Sequence, residues 1–94
     1  MERRQMERKK FKHLLEFDLG AATGKNGNRK YKAQAQDISP EGLRILTDYP
    51  LEKGVVVKLG LPVSGLEMLL PVFAEVAWAA PVEKRFTAGL RFLK

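Results

Sequence analysis

The chain has no cysteine, a single histidine and only two serines, Ser39 and Ser64, among 94 residues. Without thiols there is no disulfide framework, no thiolate nucleophile and no soft metal ligand. His13, as the lone imidazole, reads as an ordinary surface or packing residue, and no Asp/Glu cluster shows metal-ligand spacing. A Ser-His-Asp triad finds no support, so neither an enzyme nor a metalloprotein is expected, and no cofactor. No apolar run approaches the roughly 20 residues that a bilayer-spanning helix needs. The N-terminus opens with charge and has no apolar signal core, which makes the cytoplasm the expected compartment. Internal repeats, low-complexity tracts and interdomain linkers are also missing.

What is present is one domain's worth of chain with 45% hydrophobic and 30% charged residues, a globular balance. The net charge of +6 is unevenly spread. Residues 1–13 hold three arginines and three lysines against two glutamates, a local +4 that leaves +2 for the other 81 residues. A positive field at one end favours anionic partners such as phosphates, nucleic acid or acidic lipid, without choosing among them. By composition alone the same segment could be a solvated, flexible terminus.

Beyond the basic segment, "FKHLLEFDL" (11–19) suits a strand or a short helix. "GAATGKNGNRK" is a loop rich in residues that tolerate positive φ, and it turns the chain into an antiparallel partner. In that partner, "KYKAQAQDI" (30–38), Tyr31, Ala33, Ala35 and Asp37 share one face and Lys30, Lys32, Gln34 and Gln36 the other, the period of a half-buried strand. "SPEG" (39–42) places Ser, Pro and Gly at the first, second and fourth positions of a type I turn. Further strands are expected over 42–48, 55–62, 67–80 and 85–93, separated by "YPLEKG", "VSG" and "PVEK". In the last strand Phe86, Ala88, Leu90 and Phe92 alternate with Arg85, Thr87, Gly89 and Arg91. Pro71, lacking an N–H, belongs at an edge, a bulge or a bend. Six short strands with regular turn signals predict a closed antiparallel barrel or a small sandwich.

With catalysis set aside, binding remains, and two segments stand out: "RRQMER", with Arg4 and Arg8 four residues apart, and "DISPEG", with Asp37, Ser39 and Gly42. A spacing of four puts both arginines on one face in a helix or a strand. The planar guanidinium fork suits phosphate oxygens and guanine O6 and N7, and it can stack on a base. A carboxylate at Asp37 accepts from N–H groups such as those of guanine, and Ser39 donates or accepts beside it. The bland alternative for "DISPEG" is a turn chosen for geometry alone; a turn and a site can share the same residues.

At these residues the chain resembles the PilZ domain family, bacterial receptors for cyclic di-GMP, through R-x-x-x-R at Arg4 and Arg8 and D/N-x-S-x-x-G at Asp37, Ser39 and Gly42. "AEVAWA" and "AGLRF" extend the likeness over nearly the whole chain. The resemblance implies a six-stranded antiparallel β-barrel at 11–94, preceded by a flexible basic ligand-binding segment at 1–10. Arg4 and Arg8 would engage guanine and phosphate, Asp37 and Ser39 a guanine edge, and Gly42 a close backbone approach or a special dihedral. Arg3, directly before the motif, is associated in the family with a stacked pair of ligands, which implies two cyclic di-GMP molecules per chain. Trp78 is an auxiliary candidate for the base, although continuing the inward face of Leu70, Val72, Ala74 and Val76 is the more expected role. Many members carry a C-terminal helix where this sequence stops at "RFLK", so no long helix is expected and output would pass to an effector protein. Two alternatives stand beside the receptor: a small OB-like barrel binding single-stranded nucleic acid, and a PilZ-type adaptor that does not bind nucleotide.

Overall fold

Each segment with a period-two apolar pattern forms a strand in the computed structural model, which describes residues 9–19, 30–63, 65 and 68–93, with backbone alone for 9–12. The strands are β1 Lys9–Asp18, β2 Tyr31–Ser39, β3 Gly42–Thr47, β4 Val56–Pro62, β5 Leu69–Val82 and β6 Arg85–Phe92. All neighbours are antiparallel, and they close into a barrel in the order β1-β2-β3-β6-β5-β4. No helix occurs among the described residues. "FKHLLEFDL", open to either structure by pattern, is strand, because it completes the barrel between β2 and β4. That closure is short: β1 meets β4 only at Phe17↔Leu59 and Asp18↔Lys58.

Every strand supplies two wholly buried apolar residues: Leu15 and Phe17, Ala33 and Ala35, Leu43 and Ile45, Val57 and Leu59, Ala74 and Val76, Ala88 and Leu90. A six-stranded barrel is narrow, so the alanines of β2, β5 and β6 make room for Phe17, Leu43 and Ile45. At the end of β2 remote from Asp37, Phe17, Tyr31 and Tyr49 pack together, with the two tyrosine rings 4.1 Å apart. Buried Thr47 is satisfied there, donating to the Lys32 carbonyl at 2.8 Å and accepting from the Tyr49 N–H at 3.2 Å. Pro71 pairs with Gly60 of β4, and β6 joins β5 only from Ala74 onward, so the proline sits on an edge as its missing donor requires.

Besides a register shift in β1 between Lys10 and His13, two departures from strict alternation shape the rest. The β2–β3 register shifts between Ala35 and Asp37, and the β5–β6 register shifts between Val76 and Trp78. Each bulge adds one residue to its strand and reverses which face the following side chains occupy. Asp37 therefore does not continue the inward face of Ala33 and Ala35; it lies opposite exposed Arg44 on the outer face. Trp78 likewise leaves the inward face of Ala74 and Val76 and is 45% exposed, contrary to the role expected from alternation.

Candidate functional site

The hairpin "DISPEG" connects β2 to β3 through a two-residue loop, Pro40–Glu41, with Ser39 paired to Gly42. Neither loop residue has positive φ, as a type I turn requires and a type I′ turn forbids. Ser39 Oγ accepts from the Glu41 N–H at 3.3 Å, and the Glu41 carbonyl accepts from the Phe92 N–H at 2.8 Å, tying the turn to β6. Gly42 has a steric reason to be glycine. A Cβ there would lie 1.8 Å from the Leu90 carbonyl oxygen, so the motif glycine serves close approach and not an unusual dihedral.

The register then builds two parallel rows across the outer face. In one, Asp37 pairs with Arg44, Arg44 with Gly89 and Gly89 with Trp78. In the other, Ser39 pairs with Gly42, Gly42 with Arg91 and Arg91 with Glu75. Each row contains an ion pair: Arg44 Nη2 lies 2.7 Å from Asp37 Oδ2, and Arg91 Nη2 contacts Glu75 Oε1. Asp37 is nearly covered, with 12% of its side chain exposed, whereas Arg44 is half exposed above it.

Gly89 is the floor between Arg44 and Trp78. The indole lies so close over it that a Cβ would fall 2.2 Å from Nε1 and 2.6 Å from Cε2. Two hollows share Trp78 and Gly89 in their lining: one of about 350 Å³ completed by Asp37 and Arg44, and one of about 190 Å³ reaching Gly42 and Arg91. The larger falls within the range of small-molecule sites, roughly 300–1,000 Å³. It offers an apolar ring face, a carboxylate and a guanidinium, a set suited to a planar base with both donors and acceptors on its edge.

The family model for the PilZ domain matches residues 2–94. The chain belongs to the PilZ family. PilZ domains act as cyclic di-GMP receptors and adaptors and not as enzymes. No curated protein matches the chain. Among the described residues of this PilZ barrel no helix is long and apolar enough to cross a membrane, and no group of His, Cys, Asp or Glu is placed to hold a metal ion.

Of the residues singled out by sequence, the PilZ barrel brings Asp37, Ser39, Gly42 and Trp78 onto one face. Arg3, Arg4 and Arg8 lie outside the described residues. The position of β1 is informative nonetheless: Lys10 is the Cα partner of Asp37, extending the first row by one strand, and Arg8 immediately precedes the first residue of β1 in sequence. Arg44, Gly89 and Arg91 were not singled out. Arg44 carried a usable signal, since the two-residue turn that pairs Ser39 with Gly42 also pairs Asp37 with the residue two beyond Gly42.

Gly89→Ala tests the Trp78 arrangement. The clash is with the movable end of a side chain, so the barrel is expected to lose no more than about 1 kcal/mol while the indole lifts away. As the protein's single tryptophan, Trp78 reports this directly: its fluorescence emission should shift to the red. An unchanged spectrum would contradict the close packing.

Proposed function

We propose that this PilZ domain is a cyclic di-GMP receptor whose ligand binds on the outer face of β2, β3, β6 and β5. The observation that carries the reading is the row Asp37, Arg44, Gly89 and Trp78, which sets a carboxylate and an exposed indole on either side of one hollow. A guanine stacks on Trp78 with its N–H edge toward Asp37, and Ser39 supplies a further polar contact. Arg4 and Arg8, in the basic segment that enters β1 opposite Asp37, take the phosphates and the second guanine. A second ligand molecule per chain rests on Arg3, directly before the R-x-x-x-R motif.

In this reading the residues that precede β1 act as a ligand-responsive arm on the barrel; the boundary expected between residues 10 and 11 falls inside that strand, which starts at Lys9. The arm's closure over nucleotide changes the surface shown to an effector protein in the bacterial cytoplasm. The nucleic-acid alternative is less well served, because the two hollows are lined by one aromatic residue and sequence-tolerant strand binding uses successive stacking platforms.

Isothermal titration calorimetry with cyclic di-GMP, with GTP and cyclic GMP as controls, tests ligand identity and stoichiometry together. Arg4→Ala and Arg8→Ala are each expected to weaken binding about tenfold or more through the loss of charge-assisted contacts. No binding heat at low salt, or affinities indifferent to both arginines, would remove the proposal. An oligonucleotide retained in a gel shift, and lost steeply as salt rises, would favour the nucleic-acid reading instead.

A further inference from the structure

Arg44 lies outside both family motifs, yet its Nη2 sits 2.7 Å from Asp37 Oδ2 and it lines the same hollow. We infer that Arg44 is a specificity residue: together with Asp37 it forms an acceptor–donor pair that reads guanine and rejects adenine. The inference rests on the proposal that a guanine occupies this hollow.

Guanine presents N1–H and N2–H as donors and, directly beside them, O6 as an acceptor. Asp37 can only accept while ionised, and Arg44 can only donate. The cross-strand pairing of β2 with β3 holds the two side by side, so a base whose donors meet Asp37 has its O6 directed to Arg44. Adenine reverses the pattern at both positions: its N6 amino group would face the guanidinium and its N1 lone pair the carboxylate. Two like-with-like contacts in a partly covered site cannot be relieved by hydration as they would be in water.

Arg44 is also equipped to serve both partners. Its planar fork carries five N–H groups, and the Asp37 contact uses Nη2. Half of the side chain is exposed toward the hollow, while Asp37 beneath it is nearly covered. The carboxylate is thereby held in one orientation before the ligand arrives.

The test is a titration of the full chain with cyclic di-GMP and with cyclic di-AMP, for the wild type, Arg44→Ala and Arg44→Lys. The wild type should prefer cyclic di-GMP. Arg44→Ala should weaken cyclic di-GMP binding roughly 10- to 100-fold, the worth of a good base-edge contact, while cyclic di-AMP binding changes by less than about threefold, so that discrimination collapses. Arg44→Lys keeps the charge and a single donor and should fall between the two.

A merely structural or field role would weaken both ligands together, and an unchanged ratio of the two affinities in folded Arg44→Ala protein overturns the inference. If Arg44→Ala does not fold, as judged by its melting curve, Arg44→Lys carries the comparison: a ratio lowered by at least about threefold supports the inference and an unchanged one defeats it. Wild-type protein that binds no cyclic di-GMP would overturn the receptor reading itself, and this inference with it.

Discussion

Gly42→Ala is expected to remove a third or more of the barrel's stability. The added methyl would sit 1.8 Å from the Leu90 carbonyl oxygen, 2.9 Å from its carbon and 3.1 Å from the Arg91 Cα. All three are backbone atoms of the paired strand, so no rotamer change relieves the clash, and the β3–β6 ladder must open where it begins. The bond from the Phe92 N–H to the Glu41 carbonyl would go with it. Overpacking against a fixed backbone, together with lost ladder bonds, costs on the order of 3 kcal/mol or more. Small domains hold roughly 5–10 kcal/mol in total. Urea denaturation followed by circular dichroism should show a midpoint lowered by a third or more, or no native baseline. Gly54 is the control: its φ of 94° is left-handed but a Cβ there meets nothing within 4 Å, so alanine costs only the conformational term, about 1–2 kcal/mol. A Gly42→Ala midpoint indistinguishable from that of Gly54→Ala would show that the strands can part cheaply.

Much of the architecture was legible because period-two patterning and turn chemistry agree. The alternation in "KYKAQAQDI" and "RFTAGLRFL", with "SPEG" between strands, yields two of the six strands and one register without any tertiary information. What alternation misses is the pair of bulges, and these aim the site. Counted strictly, Asp37 follows Ala33 and Ala35 inward, and Trp78 follows Ala74 and Val76 inward; in the structure both face out. A trace of each bulge is visible in the apolar spacing. Core-facing residues run Ala33, Ala35, Ile38 on β2 and Val72, Ala74, Val76, Ala79 on β5, with one step of three in place of two.

Other features were beyond local pattern. That β6 inserts between β3 and β5 depends on long-range closure, and the short β1–β4 seam depends on strand tilt. Arg44 lies between these cases, since its pairing with Asp37 follows from the turn but its place beside Trp78 requires β6 and β5. The motif residues are thus one half of a surface whose other half, Gly89 and Trp78, is reached only through the order of the strands.

Asp37→Ala should abolish most ligand binding while sparing the fold, a separation that follows from the unequal exposure of the ion pair. Arg44 is half exposed, so on losing its partner it can hydrate where it stands, and screening by solvent limits the stability loss to about 1 kcal/mol. The bound guanine has no such escape. Its N1–H and N2–H, turned toward the covered floor of the hollow, would lose both acceptors at once, and leaving polar groups unpaired in a site is what makes such discrimination steep. The affinity for cyclic di-GMP is expected to fall about 100-fold or more by calorimetry. Asp37→Asn retains one acceptor oxygen, and the motif admits Asn at this position; its loss should be nearer tenfold. This ordering of wild type, Asn and Ala distinguishes a contact made by the carboxylate oxygens from a general effect of negative charge, for which Asn and Ala would behave alike. If Asp37→Ala binds within about threefold of the wild type with an unaltered melting curve, guanine is not held at this carboxylate, and the hollow between Asp37 and Trp78 is not the site of recognition.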